Sequence, residues 1–333
     1  MNLRKIKNWI IRYPTMDRLW RFLRYKQPKV EMILRLINRY PEIHCKFLIK
    51  HSAAYGFGTI YPREFPQNIK APHYFNEKLL WLKYYLYNES DLCAKCYDKY
   101  LVREYVKDCG CEYILNELYG VWDSVEDIPW ETLPEEYVLK ITNGCQEHIF
   151  KRRGTELDTA KAAKTLRNNG KIQRKGFYSS GDLFATKMPQ RYICEKILVS
   201  EMGYESPEDY KFYCFNGEPK YLLFIMDRRN GSYRETFKRA DFSDASDYFN
   251  TAENLPIEKP SCYEQMLDIC RKLSSPFPFV RVDLYVQNGH PVFGELTFTP
   301  AGGFVMNHVF DRNGELNLTA LEEMGDQLKL PKK

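Results

Sequence analysis

Apolar and polar side chains alternate along two runs near the C-terminal end of the chain, within residues 279–304. A period of two predicts β-strands, and the Asn288-Gly289 pair between the runs predicts a hairpin. A two-residue turn would pair residue 287 with 290 and place Asp283 and Glu295 on opposite faces of the sheet. We predict instead a three-residue loop that pairs residue 286 with 290 and aligns the apolar faces. The polar positions that then share one face are Arg281, Asp283, Glu295 and Thr297.

The charged side chains on that face allow two interpretations. Buried charges are costly unless they are paired or bound to a metal. Two carboxylates suit Mg²⁺, which completes its octahedron with water and substrate phosphate. The alternative is a cross-strand ion pair between Arg281 and Glu295 on a solvated face. The hairpin by itself leaves both interpretations open.

Helical periodicity dominates the first part of the chain. Residues 1–50 predict two or three basic amphipathic helices, and the Gly- and Pro-rich residues 51–75 predict a linker. A helix follows, with Asn76 as its N-cap. A second helix is predicted over residues 96–107, and it places Lys99 and Arg103 four residues apart on one face.

Residues 137–150 predict a strand, a tight turn and a second strand. Lys140 lies among apolar residues, where an unpaired ammonium is unfavourable, so we expect it to meet an anion. Backbone N–H groups in a turn form the kind of nest that holds phosphate. The turn residues that would offer them are Thr142, Asn143 and Gly144.

The stretch after this turn predicts a helix and then a loop. Thr155 with Asp158 is typical of a helix start, and the helix is expected to end near residue 168. The polar, Gly-containing residues 169–189 predict a mobile loop.

Strands and one more helix complete the pattern before the C-terminal hairpin. Residues 192–198 predict a strand, and Asn216-Gly217 predicts the turn of another hairpin. Ser261 with Glu264 predicts a capping box for a helix that ends near Leu273.

The composition is that of a folded protein of 333 residues, with 28% charged and 15% aromatic residues. That length suits one large or two modest domains. The net charge of +5 is uneven, because residues 1–50 hold 13 Lys and Arg against 3 Asp and Glu, a balance of +10 that leaves −5 for the remainder. No nucleic-acid-binding motif accompanies this local basic character. The basic helices either contact an anionic membrane or pack on the main domain.

The chain shows neither a run of about 18 apolar residues nor a signal-peptide pattern, so we expect a cytoplasmic protein. Its ten cysteines are then expected to be reduced thiols. A structural zinc site is a minor alternative, because the spacing of the candidate cysteines is irregular. Those cysteines are Cys93, Cys96, Cys109 and Cys111.

The motifs follow a specific order: Lys99, Lys140 before a small turn, then E-K-I-L, D-Y-K, R-x-D and E-L-T. In this order the chain resembles the ATP-grasp superfamily, and within it the teichuronopeptide-synthesis-like (TupA-like) branch linked to bacterial surface polysaccharides. The resemblance covers roughly residues 70–305. The phrases that carry it are FNEKLLWLK, DKYLVREYV, VLK, YKFYCFNGEPK, FPFVRVD and FGELTF.

The resemblance implies an α+β fold of the ATP-grasp type, in which two lobes clasp ATP between antiparallel sheets, preceded by N-terminal helices. It divides the chain into four parts. These are a basic helical region and linker (1–70), a helical N-lobe that leads into the core (71–135), a lid subdomain (136–200) and a C-terminal catalytic subdomain (201–320).

The nucleotide site is implied residue by residue. Lys99 and Lys140 match the two phosphate-contacting lysines, and the turn at 142–145 matches the phosphate lid. Glu201 is a candidate ribose ligand. The positions that match the adenine-binding hinge are Glu195, Lys196, Ile197 and Leu198.

The catalytic positions are implied in the same way. Lys211 matches a basic residue near the phosphates, and Arg281 matches the family's arginine. The positions that match the Mg²⁺ ligands are Asp283, Glu295 and Thr297, and those that resemble the substrate side are Asp227 and Arg228. Two departures stand out: Thr297 replaces a common Asn, and Gln146 replaces a common Gly of the lid.

The implied activity joins a carboxylate to an amine with conversion of ATP to ADP. The expected substrates are a carboxylate-bearing glycan or sugar precursor, such as a uronic acid, and an amino acid or other amine. A kinase uses the same phosphate-binding groups and is the principal alternative. A glycosyltransferase of the same pathway and a membrane-peripheral scaffold that uses residues 1–50 are further alternatives.

Overall fold

The computed structural model describes residues 39–44, 68–144, 148–229, 232–245, 249, 255–303, 309 and 317–331. Most of the predicted N-terminal helices and linker lie outside these residues, as do Cys145 and Gln146 of the predicted lid. Those predictions stay untested. Among the described residues, every helix is too short or too polar to traverse a lipid bilayer.

Helices surround the sheets in the described part of the chain. Helix α1 is deeply buried, with Leu79, Leu80 and Leu82 almost inaccessible to solvent, and it packs against the last helix, α6. The α-helices are α1 (Phe75–Tyr85), α2 (Asp91–Tyr97), α3 (Val102–Asp108), α4 (Thr159–Ser180), α5 (Tyr263–Ser274) and α6 (Leu318–Gln327).

Two antiparallel sheets form the framework. One has four strands in the order β1-β4-β2-β3, and the other has five in the order β7-β6-β5-β8-β9. The strands are β1 (Leu118–Trp122), β2 (Tyr137–Ile141), β3 (Ile149–Lys151), β4 (Tyr192–Glu195), β5 (Asp209–Phe215), β6 (Glu218–Arg229), β7 (Ser232–Arg239), β8 (Phe279–Gln287) and β9 (His290–Thr297).

Each sheet has one face covered by a helix, because successive side chains of a strand point to opposite faces. In the five-stranded sheet, the face with Phe212 packs on α5, where the Phe212 and Tyr263 rings lie 5.8 Å apart. In the four-stranded sheet, Leu139 and Cys194 pack with Leu166 of α4. The opposite faces carry polar residues, and they hold the candidate site.

The C-terminal hairpin places Arg281, Asp283, Glu295 and Thr297 on one face, as predicted, but not through the predicted turn. Gln287 pairs with His290, so the loop has two residues, and both have positive φ, 51° at Asn288 and 74° at Gly289. The three-residue loop is therefore wrong. A β-bulge on β9 restores the alignment, because Leu284 pairs with Phe293 whereas Asp283 pairs with Glu295. The extra residue, Gly294, shifts the register by one and returns both acids to one face.

The predicted helix over 96–107 is also wrong. Two short helices, α2 and α3, flank residues 98–101. The Asp98 carboxylate accepts the N–H groups of Tyr100 and Leu101 at 3.0 and 2.9 Å, and such a local bond competes with a continuous helix. Lys99 consequently lies in a turn rather than on a helix face.

Helix α4 replaces most of the predicted loop over 169–189. Asp158, rather than Thr155, caps its start by accepting the N–H of Lys161, and the helix continues past residue 168 to Ser180 and ends at Gly181, which has φ 81°. The polar residues of this stretch are consistent with a helix because Phe177 and Tyr178 anchor its inner face.

Two predicted helix caps are wrong as well. Helix α1 begins at Phe75 with Tyr74 as its N-cap, two residues earlier than predicted, and Glu77 accepts the N–H groups of Asn68, His73 and Tyr74. Helix α5 begins at Tyr263 with Cys262 rather than Ser261 as its N-cap and has no side-chain cap, and Glu264 pairs with Lys259 at 2.6 Å. The hairpin turn at Asn216-Gly217 is confirmed, since Phe215 pairs with Glu218.

Candidate active site

A cluster of charges lies on the face of the five-stranded sheet that points away from α5. Lys211 on β5 pairs across the sheet with Asp283 on β8. Its Nζ lies 2.5 Å from Oδ2 of Asp283 and 2.6 Å from Oδ2 of Asp209. The Asp283 side chain is 1% exposed, so both of its oxygens depend on protein partners.

Arg281 binds the same carboxylate from the other side. Its Nε and Nη2 donate to Oδ1 and Oδ2 of Asp283, each at 2.7 Å, and Nη2 also donates to Oγ1 of Thr297 at 3.0 Å. Burial opposes the guanidinium charge, but Asp283, Tyr213 and Glu295 together outweigh burial and raise the pKa of Arg281. The fork fixes the arginine in one orientation.

Glu295 is the more open of the two acids. It pairs with Asp283 across the hairpin, its side chain is 41% exposed, and its carboxylate lies 3.5 Å from Arg281 and 3.9 Å from Lys99. Burial favours the neutral form, but Lys99, then Lys211 and Arg281, lower the pKa of Glu295. The carboxylate is therefore ionised at neutral pH.

These groups fit Mg²⁺. Asp283 and Glu295 are directly opposed on one face, and the Thr297 hydroxyl lies 3.3 Å from Oε1 of Glu295. All three donors are oxygens, which Mg²⁺ prefers, and one or two carboxylates suffice when phosphate and water complete the shell. Within the described ranges, no group of three or more His, Cys, Asp or Glu residues is arranged to hold a metal, so the zinc alternative for the four cysteines gains no support.

Lys99 connects the two sheets. Its backbone N–H donates to the carbonyl of Thr142 at 2.7 Å, and its Nζ donates to the carbonyl of Gly144. The same Nζ lies 3.9 Å from Glu295. The site therefore brings together three segments that are distant in the chain: Lys99, the turn at residues 142–144 and the hairpin that carries Glu295.

Lys140 meets an anion, as predicted, but that anion belongs to the protein. Its Nζ lies 2.8 Å from Oε2 of Glu195, and Oε1 of Glu195 accepts a bond from Arg103 at 3.1 Å. The three side chains share the face of the four-stranded sheet opposite α4. Glu195 is thus a charge partner of Lys140, beyond its predicted place in the adenine hinge.

The predicted phosphate nest is only partly available. The N–H of Thr142 donates to the carbonyl of Arg191 at 2.9 Å, and that of Gly144 donates to the carbonyl of Ile141 at 3.2 Å. Asn143 is buried, and the Nδ2 atom of its side chain donates to the carbonyl of Ala185 at 3.2 Å. The prediction that Thr142 and Gly144 offer N–H groups to phosphate is therefore wrong in this conformation.

The predicted hinge is bonded to the segment that precedes β1. Lys196 donates its N–H to the carbonyl of Glu117 at 3.0 Å and accepts a bond from the amide of Asn116 at 2.9 Å. Its backbone is therefore already used, whereas Ile197 and Leu198 follow it half-buried. The hinge prediction consequently depends on these two residues.

Glu201 contacts the C-terminal hairpin. Its carboxylate accepts the N–H of Asn288 at 2.7 Å, and the N–H of the nearby Val199 donates to Gln287 at 3.0 Å. The tip of the hairpin is thereby tied to the segment after the hinge. This contact is independent of the predicted ribose role, which stays a prediction.

The predicted substrate-side residues lie at the rim of the charge cluster. Asp227 has φ 54° at a bulge of β6, and the bulge turns Arg228 toward Asp209, where Nη2 lies 3.3 Å from Oδ2. The Arg228 guanidinium also lies 5.5 Å from the centre of the Tyr233 ring. Arg228 therefore belongs to the same charge network as Lys211.

Asp209 is the acid that the sequence pattern missed. It bridges Lys211 and Arg228, and its charge, ahead of burial, raises the pKa of Tyr285. The signal was present in the D-Y-K motif, because residues two apart on a strand share a face. An acid two residues before a site lysine is therefore expected beside it.

A comparison with models of known families finds a match over most of the described chain. A family model described as TupA-like ATP-grasp matches residues 77–319. No curated protein matches the chain significantly.

Solved structures show a more distant likeness. D-alanine--D-alanine ligase from Bacillus anthracis with ATP has 15% identity and a TM-score of 0.37 over 61% of this chain and 55% of that chain. ATP-grasp ligase PsnB with its minimal precursor has 13% identity and a TM-score of 0.38 over 72% and 64%. N5-carboxyaminoimidazole ribonucleotide synthetase from Thermus thermophilus has 11% identity and a TM-score of 0.38 over 69% and 49%. The chain thus spans about half to two thirds of the length of these enzymes.

Proposed function

Because the chain belongs to the TupA-like ATP-grasp family, we propose that it is an ADP-forming ligase that joins a carboxylate to an amine through an acyl phosphate. One observation carries the proposal. Arg281 and Lys211 hold Asp283 beside Glu295, and Lys99, in the turn before α3, lies 3.9 Å from Glu295. This arrangement of fixed cations and oxygen ligands suits a triphosphate and its metal.

The reaction has two steps. A carboxylate oxygen of the acid attacks the γ-phosphorus of ATP, and the bond to ADP breaks. The amine then attacks the acyl carbon, the carbon–oxygen bond to phosphate breaks, and phosphate and a proton leave. Neither step needs a covalent nucleophile on the protein.

The protein contributes mainly charge and position. We assign Arg281, which Asp283 holds in one orientation, to the oxygens of the migrating phosphoryl group. Lys211 neutralises the same region as a point charge, and Lys99 sits where the lid turn approaches Glu295. Lys140 is assigned to the nucleotide side, where Glu195 holds it in place.

Asp283, Glu295 and Thr297 would hold Mg²⁺. The ion would supply positive charge that offsets the charge developing on the phosphates during transfer. Asp209 supports these ligands indirectly, since it shares Lys211 with Asp283.

The acid substrate is assigned to the rim at Arg228. This side chain is 42% exposed, and Tyr233 beside it is 45% exposed. A guanidinium binds carboxylates, and an exposed aromatic ring packs on the apolar face of a sugar. We therefore place a uronic acid or similar glycan precursor here, with an amino acid or other amine as the second substrate, in bacterial surface polysaccharide synthesis such as that of a capsule.

Product analysis tests the ligase. The protein is incubated with ATP, Mg²⁺ and pairs of uronic acids and amino acids, and ADP and amide are quantified together. Equal amounts of ADP and amide support the proposal. ADP with a phosphorylated sugar and no amide establishes a kinase, and turnover of a nucleotide sugar without ATP establishes a glycosyltransferase.

A further inference from the structure

His148 lies beside the lysines of the nucleotide side, and nothing above gives it a role. It directly precedes β3, and the β2–β3 register pairs Leu139 with Ile149. Continuation of that register sets His148 opposite Lys140. Opposed residues project from the same face of a sheet, so the imidazole shares the face that carries Lys140 and Glu195.

The Nδ1 atom of His148 is buried and has no hydrogen-bond partner in the part of the chain that the structure describes. Buried polar atoms are nearly always paired, because an unpaired one loses its water without compensation. The neighbouring ring of Phe150 lies edge-on, 6.2 Å away between centres, and offers no such partner. A group that arrives with a ligand would supply the missing bond.

The surrounding charges select the kind of ligand. Burial, followed by the charges of Lys140 and Lys99, lowers the pKa of His148 to about 3, so the imidazole is neutral at physiological pH. The two ammonium groups disfavour a metal ion at Nδ1 and favour an anion. Lys140 is closely paired with Glu195, at 2.8 Å. Lys99 is less closely paired, because its nearest carboxylate, that of Glu295, lies 3.9 Å away.

We propose that His148 binds the phosphate chain of the nucleotide, with Nδ1–H as the donor to a phosphate oxygen near Lys99 and Lys140. The assignment rests on the proposed function, because it takes the nucleotide to lie against this face. The lysines supply charge, and the neutral imidazole supplies a directional bond without a third positive charge. A bond to a charged acceptor is stronger than one between neutral groups.

Nucleotide titration tests this contact. The affinities of the full chain for AMP, ADP and ATP are measured by calorimetry with Mg²⁺ present, for the parent protein and for His148→Ala, His148→Gln and Lys140→Ala. Phe150→Ala is the matched control, since Phe150 is two residues away on the same strand and 49% exposed. Thermal unfolding of every variant is recorded alongside.

We expect His148→Ala to raise the Kd of ATP about tenfold, as for loss of one bond to a charged group. The Kd of AMP should change less than about twofold, and His148→Gln, which keeps a donor, should recover most of the ATP affinity. Phe150→Ala should match the parent protein.

Three results separate the alternatives. An unchanged ATP affinity in His148→Ala, together with weaker binding in Lys140→Ala, overturns the contact and leaves the ligase proposal standing. An equal loss for all three nucleotides, with a lower unfolding temperature, also overturns it, because it assigns His148 a structural role. A parent protein that fails to bind ATP refutes the proposed function itself and the contact with it.

Discussion

The carboxylate of Asp283 stabilises the fold through its ion pairs and is also assigned to the proposed metal site. Lys211 and Arg281 both bind it, and its side chain is 1% exposed. Removal of its charge leaves two largely buried cations without that partner, which typically costs about 3–5 kcal/mol. Asp283→Asn is therefore expected to weaken the fold as well as turnover. Glu295, at 41% exposure, allows a cleaner test.

Glu295→Gln should reduce kcat at least about a hundredfold, because the amide keeps the shape but loses the charge that binds the metal. Its unfolding temperature should stay close to that of the parent protein. Steady-state ADP release and thermal unfolding measure the two quantities. Glu264→Gln, which removes an exposed acid paired only with Lys259, is the control, and equal rates in both variants would remove Glu295 from the metal site.

His148 should make stability depend on pH. Its pKa is lowered to about 3 by burial and by Lys140 and Lys99, whereas an unfolded histidine titrates near 6.5. The unfolded chain therefore binds the extra proton as pH falls through this window, and stability declines with it. Glu195 and Glu295 partly neutralise the charges of the two lysines, but neither carboxylate shifts the pKa of His148 itself.

Urea unfolding at pH 7.5 and pH 5.5 measures this effect. The parent protein should lose about 1.4 kcal/mol more than His148→Gln between the two conditions, since a single proton is taken up only by the unfolded state. An identical pH dependence in both proteins would contradict the low pKa.

At the scale of elements, the β9 bulge aligns the site. Without Gly294 as an extra residue, a two-residue turn would put Asp283 and Glu295 on opposite faces. An added Cβ at Gly294 would lie 2.9 Å from the carbonyl oxygen of Asp283 and from the Tyr285 ring. The position therefore accepts only glycine without movement of the neighbouring strand.

Gly294→Ala should consequently lower the free energy of unfolding by about 1–3 kcal/mol, the usual cost of overpacking. It should also lower kcat by a larger factor than it changes the KM for ATP. Chemical denaturation and steady-state kinetics provide the measurements. Gly176→Ala is the control, because a Cβ there meets nothing within 4 Å and alanine favours a helix. A Gly294→Ala protein with parental kinetics would show that the bulge does not set the distance between the acids.

At the scale of the whole molecule, the candidate site depends on the contacts that connect the two sheets. Lys99 joins the lid turn to Glu295, and Gln287 and Asn288 tie the hairpin tip to residues 199–201. Residues before α1 also take part: His44 is fully buried and hydrogen-bonds to the Tyr84 hydroxyl at 2.6 Å. A truncation that preserves the fold should therefore retain residues 39–44.

Removal of residues 1–38 tests the proposal that the basic N-terminal region contacts the inner face of an anionic membrane. These residues contain 10 Lys and Arg against 2 Asp and Glu, and each basic residue near such a surface contributes about 1 kcal/mol. The truncated protein should keep its kcat within about twofold and lose binding to phosphatidylglycerol vesicles, as measured by co-sedimentation. A full chain that fails to bind these vesicles at low salt would contradict membrane contact, and an inactive but folded truncation would give these residues a catalytic role.

The sequence by itself determined the candidate residues for the chemistry and the strands that hold most of them. The alternation along residues 279–297 and the positions of the Asn-Gly turns depend only on neighbours in the chain, so they could be predicted from it, whereas the predicted loop length at Asn288-Gly289 was wrong. The same holds for the set of candidate lysines, arginine and acids, since charged residues within apolar strands need a partner or a ligand. The choice of fold was implied by the order of the motifs, and the family match confirmed it.

Only the tertiary structure decided which charges meet. Lys140 takes Glu195 from 55 residues away, and Lys211 takes Asp283 from 72 residues away. The bulge at Gly294, rather than the turn length, set the faces of the hairpin. Such outcomes depend on how distant strands approach one another, and that geometry is fixed by packing across the whole core rather than by local pattern.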